Sequence, residues 1–294
     1  MTESSTTPWY PGMRLFRQRW RGDWSTTIDD LAQALVMHVE LRQNDAVPAC
    51  PGSSLEIVDA PSLAPAAQLS RLRETAHGTQ QYRADDSLVA CSIEIYGEYL
   101  QGQVEILGLM VTPGATVVDW RPGQTLHALA AATLVGAQGR VLVHEPDNFE
   151  QQLVAQNVLL NGCDNVDVIR NVDGGTQRGA DLRIDDLCIN RLDVLKLGFA
   201  ASEPATVSGA SATLWRCRPR VLANCANAED ATRLAETLQE HGYRCFSTEV
   251  PYFRCDNFNR SPVDHTGNAA CLTLLGLPEE SGVSPPEPWE WVVT

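Results

Sequence analysis

From about residue 87 onward, the apolar positions alternate between two periods. Runs rich in β-branched and aromatic residues occur at 88–96, 115–120, 140–145, 166–170, 192–197, 220–224, 243–248 and 269–275, and these predict strands. Between most of them lie helical stretches at roughly 98–111, 124–135, 147–160 and 227–241. Gly136, Gly162 and Gly242 fall just past three of these stretches, where a left-handed cap residue closes a helix. Strand–helix alternation of this kind predicts an α/β domain with a mostly parallel sheet and right-handed crossovers. A ligand is then expected at the carboxyl ends of the central strands.

Upstream the pattern is different. Ile28, Leu31, Leu35 and Val39 recur at three- to four-residue spacing after Thr27, and predict one amphipathic helix over about 28–42. Thr27 and Asp30 make a weak capping box for it. Pro48, Pro51, Pro61 and Pro65 mark residues 44–68 as a linker. The chain is therefore expected to divide into an extension (1–80), an α/β body (81–278) and a Pro/Glu-rich tail (279–294) carrying Trp289 and Trp291.

Charge narrows the choice of partner. The 294 residues carry 22 Lys and Arg against 37 Asp and Glu, a net charge of −15. Such a chain is a poor ligand for a phosphate backbone, so nucleic acid is excluded as the expected partner. The first 24 residues depart from this balance: Trp9, Tyr10, Trp20 and Trp24 sit among Arg14, Arg17, Arg19 and Arg21. This arm is expected either to grip a protein partner or second copy, or to strap onto its own domain. No run reaches the ~20 apolar residues of a membrane helix, and no signal-peptide pattern opens the chain, so a cytoplasmic protein is expected. The nine cysteines contain no CxxC pair; they are expected to be reduced core residues, with no metal site.

Candidate chemistry gathers at two strand ends. The strand 115–119 ends in Asp119, and its following loop should open a helix whose free N–H groups face a ligand. The next strand ends at Glu145, far enough along the chain to accept both ribose hydroxyls of an adenosine cofactor. Around these residues, PGATVVD followed by GRVLVHEPDNFEQQLVAQNVLLNGCDNV resembles the FkbM family of S-adenosylmethionine-dependent methyltransferases. Ile184-Asp185-Asp186-Leu187 and Leu192-Asp193-Val194-Leu195-Lys196-Leu197 resemble that family's LDDL and DLIKIDVEGAE segments. Arg218-Pro219-Arg220, Gly242-Tyr243 and Asp256-Asn257-Phe258 resemble its later elements. The likeness spans about residues 95–277. It implies a Rossmann-like class I methyltransferase fold, a mostly parallel seven-stranded sheet with helices on both faces, and S-adenosylmethionine as cofactor of an active member.

The family's motifs are incomplete here. Asp119 stands on its first-motif aspartate, but Arg121 and Thr125 replace the two glycines of VGANIG, leaving only Gly123 to make the turn. The acidic pair of IDVEGAE is lost as well: Gly198 stands for its aspartate and Ala200 for its first glutamate, with Glu203 nearby. Asp119, Gly123 and Glu145 are thus the cofactor-binding candidates, and His265 and Glu203 the weak catalytic ones. His127 is expected to be a packed or surface histidine, His144 a hydrogen-bonded core residue, and Asp173-Gly174-Gly175-Thr176 a turn. Two functions follow. One is a methyltransferase-like protein that has lost catalysis and serves as a scaffold or protein partner. The other is a divergent, active O-methyltransferase acting on a small-molecule, sugar or lipid-linked hydroxyl.

Overall fold

The structure, a computed structural model, describes residues 55–57, 70–84, 87–171, 182–285 and 290–292. The Trp/Arg arm, the helix expected over 28–42, the turn at 173–176 and Trp289 lie outside the described residues.

Eleven strands are described: β1 (Leu55–Ile57), β2 (Ser70–Thr75), β3 (Gly78–Arg83), β4 (Thr116–Trp120), β5 (Arg140–His144), β6 (Val166–Asn171), β7 (Val194–Leu197), β8 (Arg220–Cys225), β9 (Tyr243–Pro251), β10 (Ala270–Pro278) and β11 (Glu290–Trp291). Nine of them form one sheet in the order β1-β6-β5-β4-β7-β8-β10-β9-β11. From β6 to β8 all neighbours run parallel, while β10 runs antiparallel to both β8 and β9. The seven central strands are therefore six parallel and one reversed, and short antiparallel strands β1 and β11 close the two edges. This is the Rossmann-like class I methyltransferase sheet that the strand–helix alternation and the motif order led us to expect.

The central strands carry apolar residues on both faces because both are covered. One face buries Val118, Leu142, Leu195, Val221 and Leu234, and the other Val117, Val141, Val194, Leu222 and Leu275. Helices α2 (Gln101–Met110), α3 (Leu126–Val135) and α4 (Asn148–Leu160) precede β6. Helices α5 (Pro204–Ser208), α6 (Ser211–Cys217) and α7 (Ala228–Glu240) follow β7. Asp147 caps α4 by accepting the Phe149 and Glu150 N–H groups, and Asn227 caps α7 through the Asp230 N–H. Gly136, Gly162 and Gly242 follow α3, α4 and α7 at φ +66°, +61° and +75°, the left-handed region anticipated for them.

Three expectations are corrected. Residues 88–96 are not a strand: they form helix α1 (Ser87–Cys91) running into a π-turn at Ser92–Tyr96. Val89, Ile93 and Tyr96 are buried at helical spacing, so packing overrides the β-rich composition. α5 and α6 had no counterpart in the sequence reading and lie in the connection between β7 and β8. Cys188 is disulfide-bonded, whereas Cys91, Cys163, Cys217, Cys225, Cys245, Cys255 and Cys271 are free thiols.

β2 and β3 form a separate hairpin that straddles the expected boundary at residue 80. The Asn157 side chain on α4 accepts the Gln81 N–H at 2.7 Å and donates to the Gln81 carbonyl at 2.8 Å. Asn161 repeats this pattern at Thr79, so the hairpin is fastened along α4 like an added strand. Among the described residues, no helix is long and apolar enough to cross a membrane.

Candidate functional site at the strand ends

The sheet changes character toward the carboxyl ends of its parallel strands. Two residues beyond the apolar layer of Val117, Val194 and Leu222 stand Asp119, Lys196 and Asn224, all buried. Asp119 and Lys196 are register partners on β4 and β7, with Nζ 3.2 Å from Oδ1 and each side chain at most 2% exposed. Lys196 is the chain's sole lysine. Burial pushes the Asp119 carboxyl up, against the pull of the Lys196 charge, and its Oδ2 has no hydrogen-bond partner. His127, on α3, is also buried. Desolvation first, and then the Lys196 charge, hold its imidazole neutral, well below the ordinary histidine value.

The loop after β4 folds down over this layer. Arg121 takes the left-handed conformation at φ +49°, a region that favours glycine, and its N–H donates to the His144 carbonyl at 2.7 Å. Pro122 is buried behind it, and Gly123 turns the chain at φ +64°. The Gly123 N–H donates to Glu145 Oε2 at 3.2 Å, and the Asp147 N–H to Oε1 at 3.2 Å. Glu145 is only 6% exposed, and burial raises its carboxyl pKa while those two N–H groups lower it. Two predicted site residues, Gly123 and Glu145, are thus brought together, by a bond that ties the loop after β4 to the end of β5.

Gly198 shows what the closure requires. A Cβ added there would run into the Arg121 carbonyl oxygen, and would lie 2.9 Å from the carbonyl carbon and 3.1 Å from Pro122 Cα. The Gly198 N–H donates to the Trp120 carbonyl at 3.0 Å, and Ser202 Oγ donates to the Gly198 carbonyl at 3.0 Å. The two motif departures, at Arg121 and at Gly198, therefore meet in space. The loop backbone occupies the space that any side chain at residue 198 would need. As folded, loop backbone fills the space beside Gly198, and the Glu145 carboxylate is taken up by the Gly123 and Asp147 N–H groups.

The remaining candidates lie apart from this pair. Glu203 is exposed at the start of α5 and caps no N–H. His265 is exposed in the loop between β9 and β10, and its backbone N–H donates to the Tyr96 hydroxyl at 2.6 Å. Neither side chain bonds to Asp119, Glu145 or Lys196. His144 is packed as expected, its ring 4.2 Å from that of Trp120 and its Nδ1 3.2 Å from the Ile169 carbonyl. The sequence reading missed the groups that cover the loop: Gln80 of the hairpin donates to Gln124 at 3.2 Å, and Asn157 donates to Thr125 Oγ1 at 3.0 Å. Asn157 sits one helical turn before Asn161, and that repeated amide on one side of α4 was the available signal.

No family model matches the sequence, and no curated protein matches it. Solved structures are similar in shape. The precorrin-6y C5,15-methyltransferase of Geobacter metallireducens is 14% identical over 60% of this chain and 88% of its own, with a TM-score of 0.48. An S-adenosylmethionine-dependent O-methyltransferase of Thermotoga maritima is 17% identical over 74% and 79%, with a TM-score of 0.44. A further S-adenosylmethionine-dependent methyltransferase, from Aquifex aeolicus, is 14% identical over 63% and 92%, with a TM-score of 0.40.

Proposed function

We propose that this chain is an FkbM-like methyltransferase-fold protein that no longer transfers methyl groups and works as a scaffold or protein partner in a complex. The observation carrying this reading is the Arg121 carbonyl standing where a side chain at Gly198 would have to be. Methyl transfer needs an acceptor aligned with the S–CH3 bond and a charge or base beside it. Here that place is filled by loop backbone, and Glu145, the surviving acid, is engaged by Gly123 and Asp147. The body (81–278) would then supply a rigid platform. The Trp/Arg extension (1–80) and the Trp-bearing tail (279–294) would supply the contacts, with a protein or a second copy as the partner.

Calorimetric titration of the full chain with S-adenosylmethionine and S-adenosylhomocysteine tests the first half of this reading. No heat and no thermal shift are expected at millimolar ligand. Micromolar binding abolished by Glu145→Ala overturns the proposal in favour of a divergent O-methyltransferase, the reading favoured by the retained Glu145 at the end of β5. The partner half is tested by light scattering after gel filtration. The full chain should run as an oligomer and a deletion of residues 1–24 as a monomer; two clean monomers overturn it.

A further inference from the structure

A second constellation lies at the opposite, amino-terminal side of the sheet. His241 follows α7 and precedes the first residue of β9, a strand that runs parallel to β4. Its Nε2 is 2.9 Å from the hydroxyl of Ser211, the first residue of α6, and its Nδ1 is 2.8 Å from the Thr237 carbonyl. A carbonyl can only accept, so Nδ1 carries the imidazole proton and Nε2 presents its lone pair. The Ser211 hydroxyl must therefore donate to Nε2. A hydroxyl, a base in reach of it and a third group fixing the base's tautomer are the parts of an activated nucleophile.

The surroundings hold these parts in place. Asp185 accepts the Ala212 N–H at 3.0 Å, the Thr213 N–H at 2.8 Å and the Thr213 hydroxyl at 2.7 Å, pinning the turn that carries Ser211. His241 is buried, while Ser211 is only half-buried, so the base is shielded and the hydroxyl keeps an open side. Trp215, one turn along α6 from Ser211, is 48% exposed, with its ring 6.0 Å from that of His241. Arg218 lies over the Trp215 ring at 5.4 Å and is itself held by Glu280. An exposed indole beside the hydroxyl offers an apolar wall for an acyl chain.

We propose that Ser211 is a nucleophile served by His241, and that it takes the acyl group of small activated esters with an apolar acyl chain. Ser211 Oγ attacks the ester carbonyl carbon as its proton passes to His241 Nε2. The new Oγ–C bond forms, the bond to the leaving alkoxide breaks, and the imidazolium returns the proton to that alkoxide. Water, deprotonated by the same Nε2, then cleaves the acyl-serine to the free acid and restores the hydroxyl. The step uses no group of the strand-end site, so it stands or falls separately from the function proposed above.

A fluorophosphonate reagent with an alkyl chain, followed by peptide mapping of the full native chain, tests this directly. One adduct per chain on Ser211 is expected, absent in Ser211→Ala and at least tenfold slower in His241→Gln. No adduct on Ser211 in the native chain overturns the proposal, and needs no variant to fold. An adduct forming equally fast in a folded His241→Gln variant overturns the role of the base, and with it the proposal. Hydrolysis of p-nitrophenyl butyrate should follow the same order, and turnover unchanged by Ser211→Ala counts against it.

Discussion

The backbone of Arg121 takes the space beside Gly198: a Cβ on that glycine would meet the Arg121 carbonyl oxygen and come within 2.9 Å of its carbon. Arg121 holds a left-handed φ of +49°, a conformation costly for a residue with a Cβ. Gly198→Ala should therefore destabilise the fold by about 1–3 kcal/mol, because a methyl group is forced into backbone that must move. Combining it with Arg121→Gly, which frees the loop to shift, should recover part of that loss. Urea midpoints of the two single variants and the double variant measure the coupling, expected at roughly 0.5–3 kcal/mol. Strict additivity would mean the loop and the strand end are not one unit.

The Asp119–Lys196 pair makes a different demand. Both side chains are buried, and Asp119 Oδ2 has no partner, so the pair is not fully satisfied by hydrogen bonds. Removing one member leaves a lone buried charge, and Lys196→Met should cost about 3–5 kcal/mol. Replacing both, as Asp119→Leu with Lys196→Met, should return stability to within a few kcal/mol of the starting protein. Chemical denaturation distinguishes the two outcomes. A harmless single substitution would show that water reaches the pair.

Much of the sheet was legible because its strands are buried on both faces and stand out as short apolar runs. β4, β5, β6, β7 and β8 fall where those runs lie, and Gly136, Gly162 and Gly242 mark helix ends for a local reason, the left-handed cap. Asp119 and Glu145 could be placed at strand ends by the same logic. Their partners could not. Lys196 meets Asp119, and Gly198 meets Arg121, only through the crossover that sets β7 beside β4. The hairpin β2–β3 was equally hidden: its strands read as polar, and its stability comes from the Asn157 and Asn161 side chains on a distant helix. Residues 88–96 misled because β-branched composition is a weak preference that the burial of Val89, Ile93 and Tyr96 overrides.

Asn157 is the fastener that matters most for the cover over the loop. Its amide makes bonds to the Gln81 N–H, the Gln81 carbonyl and Thr125 Oγ1. Asn157→Ala should cost about 1–3 kcal/mol, since partners on both the hairpin and the loop lose a buried bond. The loss should be local. Amide exchange at residues 78–83 should speed up by more than tenfold while β4 and β5 keep their protection. Uniform acceleration across the sheet would show that the hairpin opens only with global unfolding.

His127 sets the acid side of the stability profile. Its ring is buried beside the Lys196 charge, so the folded protein binds this proton only well below the unfolded value of 6.5. The unfolded state therefore takes up the proton first as pH falls. The stabilisation is complete above about pH 6.5 and is lost progressively below it, by up to about 1.4 kcal/mol per pH unit until the folded value is reached. His127→Phe removes that group from both states and keeps an aromatic ring against Tyr99, whose ring lies 5.7 Å away. Between pH 7 and pH 5 the melting temperature of the variant should fall less than that of the parent. Parallel curves would mean that the imidazole takes up its proton as readily in the folded protein as in the unfolded chain, and would overturn this reading.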